Sequence, residues 1–215
     1  MSIRRWDVIA LASIGGAAAA SAAVYSDLPE RVATHFDIHG TPDGWMSRPW
    51  AAAFMPAFAV VLWAIVRFAP RLLPRSDEKR LEPSIVALVA GLTAAFMAAI
   101  HIVVLRVALA PGMSVTKTVF VLAGLLFVAI GLVLPRVKRN PLIGIRTAWT
   151  LRSDENWART QRVGGYSMVA AGLVSAIAGG LGDVTGAILS VVALIVAGVV
   201  PVLYSLMIAR QLDAK

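Results

Sequence analysis

Cysteine is absent from the chain, so it has no disulfide framework, no thiolate metal site and no thiol nucleophile. Charge is scarce as well: 15% of the 215 residues are Asp, Glu, Lys or Arg, while 59% are hydrophobic and the mean hydropathy is +0.78. Soluble domains carry about 25% charged and about 45–50% apolar residues. A domain of this length still exposes about a third of its unfolded surface, so one small core cannot hide such an apolar surplus. The excess must face lipid, which excludes a soluble globule. Strands of alternating polarity are missing too, which excludes a closed β-barrel.

What is present is a set of continuous apolar runs of nearly 20 residues or more, each suited to one spanning helix. They fall at roughly 7–25, 50–69, 83–105, 115–134, 163–181 and 187–208. The fold class read from them is an all-α integral membrane protein with six transmembrane helices. The first run follows Arg4 and Arg5 as a signal peptide would, but its length of about 18 residues and its descent into polar Tyr25-Ser26-Asp27 favour a retained helix with Met1 as the start. Runs such as Gly15-Gly16-Ala17 and Ala178-Gly179-Gly180 suit close helix packing in lipid.

The net charge of +8 is a matter of topology. With the N-terminus in the cytoplasm, sixteen Lys and Arg fall in inside segments and four (Arg31, Arg48, Arg106 and Lys117) outside. Both termini are therefore expected inside. Direct nucleic-acid binding is not called for, because topology accounts for the basic residues. The chain divides into a helical hairpin over 1–70 with an outer loop at 26–50, a central hairpin over 71–134, and a loop with a terminal hairpin over 135–215.

The outer loop holds His35 and His39, four of the twelve acids, and turn formers at Gly40, Pro42, Asp43 and Gly44. Interleaved Val32, Phe36, Ile38 and Trp45 favour a folded lid. His35, Asp37 and His39 alternate and would share one face of an extended strand, a candidate site for a divalent metal such as zinc. The third histidine, His101, is expected near the outer end of the third span and joins them as a candidate ligand; an intramembrane ionisable residue is a functional candidate by default. A structural lid, a ligand-docking surface and a metal or catalytic site all remain open on these residues.

The inner loop, 135–162, sets Trp149 and Trp157 among seven basic residues, as expected of a cytoplasmic amphipathic segment at the lipid interface. Thr150 or Ser153 is placed to cap a short surface helix over roughly 154–162. Arg146, flanked by Gly144 and Trp149, is placed to stack on the indole or to clamp a phosphate or carboxylate.

On these two segments the sequence resembles a known family. Leu28-Pro29, His35-Phe36-Asp37, Gly40 and Pro42-Asp43-Gly44 resemble the segment of unknown function, DUF1648, that precedes SdpI-type sequences. Asn140, Gly144-Ile145-Arg146-Thr147, Trp149-Thr150-Leu151, Trp157, Thr160 and Gly164-Gly165 are similar to the signature of the SdpI family. Ala148 stands where that family usually has Pro, and Gln161 where His is common. The resemblance implies a multi-pass bacterial plasma-membrane protein whose founding members confer immunity to a secreted peptide toxin and signal through a cytoplasmic repressor. It favours His35, Asp37, Gly40 and Asp43 outside, and Asn140, Gly144, Arg146, Thr147, Trp149, Thr150 and Trp157 inside.

Three functions from different classes follow. The first is an immunity or sensing protein that binds a peptide toxin or another extracytoplasmic ligand and signals to a cytoplasmic repressor or other protein. The second is a metal-dependent hydrolase using His35, Asp37 and His101, with Asp43 or Glu30 as base. The third is a small transporter or channel, which the sparse intramembrane charge disfavours.

Overall fold

The computed structural model describes residues 5–74, 81–110 and 112–213. Six of its helices are long and apolar enough to cross a membrane: α1 (Arg5–Val24), α2 (Arg48–Phe68), α3 (Pro83–Leu109), α4 (Val115–Val133), α5 (Asp154–Leu181) and α6 (Val184–Asp213). Their ends follow local chemistry. Pro49 and Pro83 sit in the first turns of α2 and α3, where the missing N–H costs nothing. Ser114 and Ser153 cap α4 and α5, accepting from the Lys117 and Asn156 amides. Gly182, at φ 78°, ends α5 in the left-handed conformation.

The helices form two three-helix units. α1 and α2 pack on α3, and α4 and α6 pack on α5; between the units α3 meets α4 over a much smaller contact. In the second unit the packing rests on glycine. A Cβ on Gly124 would stand 2.4 Å from the Gly172 carbonyl, and one on Gly131 2.7 Å from the Gly165 carbonyl, so α4 and α5 touch backbone to backbone. The expected run Gly15-Gly16 has nothing within 4 Å of either position, whereas Gly179 does press on Phe120. Close approach therefore depends on which face a glycine occupies, not on the richness of the run.

The folded lid expected of the outer loop is an antiparallel hairpin of β1 (Arg31–Phe36) and β2 (Pro42–Ser47), a small β element beside the helices. One expectation is corrected: the separate surface helix at 154–162 does not exist. The Ser153 cap instead starts a single 28-residue helix that runs on as the fifth span, because nothing between 154 and 181 breaks it. Arg4, Arg75, Lys79, Arg80 and Lys215, counted above for topology, lie outside the described residues.

Candidate functional site

The hairpin is anchored as a lid. Val32 is fully buried and Leu28 nearly so, and both pack on Ala51, Ala52 and Leu105 at one end of the first unit. Arg31 lies over the Trp45 ring and Arg48 over Tyr25. Alternation across the strand puts apolar Val32 inward while the His35 side chain stays 75% exposed.

At the tip the expected one-face triplet is undone. The strand ends at Phe36, and Asp37 turns back: its Oδ1 accepts the His39 and Thr41 amides at 2.9 and 2.8 Å, and Gly40 donates to the Asp37 carbonyl. An aspartate able to satisfy a turn's amides does so in preference to lining up along a strand. His35 pairs instead with Asp43 across the hairpin, Nδ1 to Oδ1 at 2.5 Å. Gly44 lies opposite His35, and a Cβ there would meet the His35 Cβ at 2.9 Å.

His101 lies beneath the lid and takes no part in this surface chemistry. It is fully buried between helices, with Nε2 2.6 Å from the Ser21 hydroxyl, which donates to the Ala52 carbonyl at 2.8 Å. The Ser21 hydroxyl thus bridges the Ala52 carbonyl and Nε2, while Nδ1 has no partner among the described residues. Of the four candidate ligands, His35 is paired to Asp43, Asp37 holds the turn, His39 sits at the tip and His101 ties α1 to α3. Among the described residues no three of His, Asp and Glu come together in a group able to hold a metal.

The hairpin tip does meet the second unit. Gly40, at φ 82°, lets the tip lie against α4, where its absent Cβ would stand 3.0 Å from the Thr116 hydroxyl. Ile38, His39, Met113, Thr116 and Asp183 line a cleft of about 280 Å³ there, between the hairpin and the α3–α4 and α5–α6 turns.

At the opposite, basic end, the loop from 137 to 153 is organised by its own polar side chains. Asn140 spends its whole amide on a turn, donating to the Lys138 and Ile143 carbonyls and accepting the Leu142 and Ile143 amides. Thr147 and Thr150 exchange amide–hydroxyl bonds, and Thr150 donates to the Ile145 carbonyl. The Trp157 indole donates to the Val137 carbonyl at 2.7 Å. Gly144, at φ 119°, passes directly over the Trp157 ring and the Gln161 amide.

Sequence reasoning missed several members of this frame. Gln161, fully buried, pairs with both the N–H and the carbonyl of Ile145 at 2.9 and 3.0 Å. Asn156 donates to the Ser205 carbonyl and Thr147 meets the Ser205 hydroxyl, joining α5 and the loop to α6. Uncapped polar residues on a helix that must cross lipid were the available signal. A second omission is Asp7 on α1, which holds Arg67 on α2 by two bonds of 2.7 and 3.2 Å, both residues buried.

Arg146 is exposed and donates to the Pro141 carbonyl. The cations found over rings among the described residues are Arg5, Arg31, Arg48 and Arg71, so the expected stack of Arg146 on half-buried Trp149 is not formed. Arg139 binds Asp154 and the Leu151 carbonyl, and Lys138 reaches Glu82 before α3 at 2.8 Å. That hydrogen bond, with the carboxylate's charge, holds the Lys138 ammonium above the ordinary lysine range.

Comparison with known families agrees with the resemblance read from the residues. Residues 136–205 match the SdpI/YfhL protein family, and residues 12–60 match a domain of unknown function, DUF1648. No match was found among curated proteins or among solved structures. The first match covers the loop frame with α5 and most of α6; the second covers the lid between α1 and α2.

Proposed function

We propose that this multi-pass protein of the bacterial plasma membrane, SdpI-like in its C-terminal third and DUF1648-like near its N-terminus, protects against or senses a membrane-active peptide at its hairpin face. The observation that supports this reading is the cleft under the hairpin tip. It sets apolar Ile38 and Met113 beside the polar Thr116, His39 and Asp183, a mixture suited to an amphipathic peptide at a membrane surface. The hairpin's base is anchored on the first unit and its tip lies against α4, so such a ligand meets preformed walls on both sides.

At the basic end, Arg146 on its rigid loop is the contact for a cytoplasmic partner, a repressor or another protein. Coupling between the ends requires a bundle with two arrangements that both ligands bias. The test is expression in cells sensitive to a membrane-active peptide. Survival is expected to rise with the wild-type chain, to fall back with His39→Glu in the cleft, and to persist with Arg146→Ala if protection alone is scored while signalling is lost. Unchanged killing at verified membrane expression overturns the proposal.

A further inference from the structure

Between the two units, in the half of the bundle nearest the basic loop, lies a crevice of about 210 Å³. Val89, Phe96 and Met97 of α3 face Leu126 and Ile130 of α4 across it, and Val137 of the loop closes its floor. Only Thr93 contributes a hydroxyl to the lining. Water gains no partners in such a space, because a buried water needs two to four polar neighbours.

Val137 also lines a second groove at the loop surface, of about 480 Å³, bounded by Arg136, Lys138, Arg139, Trp157 and the carboxylate of Asp154, which Arg139 pairs. Val137 therefore stands between two neighbouring spaces, one apolar and within the span, the other at the interface with three cations and one carboxylate in its lining. Lys138 and Arg139 are engaged by Glu82 and Asp154, whereas Arg136 is exposed and has no partner among the described residues. A basic pocket against helices at the cytoplasmic interface is suited to a lipid headgroup.

We propose that the seam between the units is a binding site for one anionic phospholipid, an acyl chain in the crevice and its phosphate on Arg136. In lipid the crevice walls gain nothing over any other apolar surface from burial alone, so the headgroup decides which lipid stays. The charge at the mouth selects an anion over a zwitterion. This site is independent of the peptide cleft at the far end of the molecule.

The test is native mass spectrometry of the full chain in micelles doped with equal amounts of phosphatidylglycerol and phosphatidylcholine of the same acyl chains. One phosphatidylglycerol is expected to remain bound, favoured about tenfold. Arg136→Gln is expected to bring that ratio close to one, and Arg136→Lys to keep most of it. Val89→Phe, which fills the crevice, is expected to remove retention of both lipids. Equal retention of the two lipids by the wild-type chain, or an unchanged preference in Arg136→Gln, overturns the proposal. Undiminished retention in Val89→Phe overturns the placement of the acyl chain.

Discussion

At position 144 the backbone takes a φ of 119°, and a Cβ there would lie 3.0 Å from both the Gln161 amide oxygen and the Trp157 ring. Gly144→Ala therefore meets strain and crowding together, and a loss of about 1–3 kcal/mol is expected, read as a lower unfolding temperature in detergent. Gly15→Ala, with nothing within 4 Å, serves as the control. Lys138 makes a different residue-scale prediction. Its pKa is raised by Glu82, so its contribution to stability is complete below the ordinary lysine value and disappears as the pH rises through the raised one. The difference between wild type and Lys138→Met is thus expected to be flat through neutral pH and to vanish only in strong alkali. Added salt shrinks it, because the pair is exposed; melting curves across pH and ionic strength check both.

Among elements, α1 and α2 are joined near the basic end by Asp7 and Arg67. Removing one member of a buried ion pair leaves the other charge uncompensated, typically costing about 3–5 kcal/mol. Asp7→Asn and Arg67→Met are each expected to lower the unfolding temperature sharply, and the double variant to recover much of the loss. Recovery in the double variant separates a true pair from two independent packing roles. This pair also shows what the sequence conceals. Arg67 counts as one more inside charge in a linear tally, and only packing reveals that it faces another helix. The spans were legible because continuous apolarity over 20 residues has few other uses. The Ser153 cap was legible for the same local reason, but its helix was drawn too short. The loop residues Asn140, Thr147, Thr150 and Trp157 were legible as a set through family resemblance. Asn140 and Thr150 close local turns at the Ile143 and Ile145 carbonyls, whereas Trp157 reaches back 20 residues to the Val137 carbonyl, a bond no spacing rule displays. The His35, Asp37 and His39 alternation misled because a period of two matters only while the strand lasts, and it ends at Phe36.

For the whole molecule, the charge bias sets an orientation that direct labelling checks. The chain has no cysteine, so single substitutions report without a background to remove. His39→Cys is expected to react with a membrane-impermeant maleimide in intact cells, and Arg146→Cys only after the membrane is opened. The reverse pattern would turn the molecule over and move the peptide cleft to the cytoplasm. The two family matches fall on different units in the main, residues 12–60 with α1, the lid and α2, and residues 136–205 with the loop, α5 and most of α6. The thin α3–α4 contact is where those two patterns of packing meet.

Helix α5 has 28 residues and so measures about 42 Å, against a hydrocarbon core of about 30 Å. It is long enough for its first turns to extend past the hydrocarbon as an arm, and Trp157 and Gln161 bolt the basic loop to those turns. A tilt of about 10° about the far end of this helix would swing the arm's tip sideways by about 7 Å, with the loop carried along as one piece. Membrane thinning, which any pore-forming or detergent-like peptide produces, changes the tilt a long helix adopts. Arg146 would then move with the bilayer, its position at the basic end depending on the thickness of the lipid as well as on any bound partner.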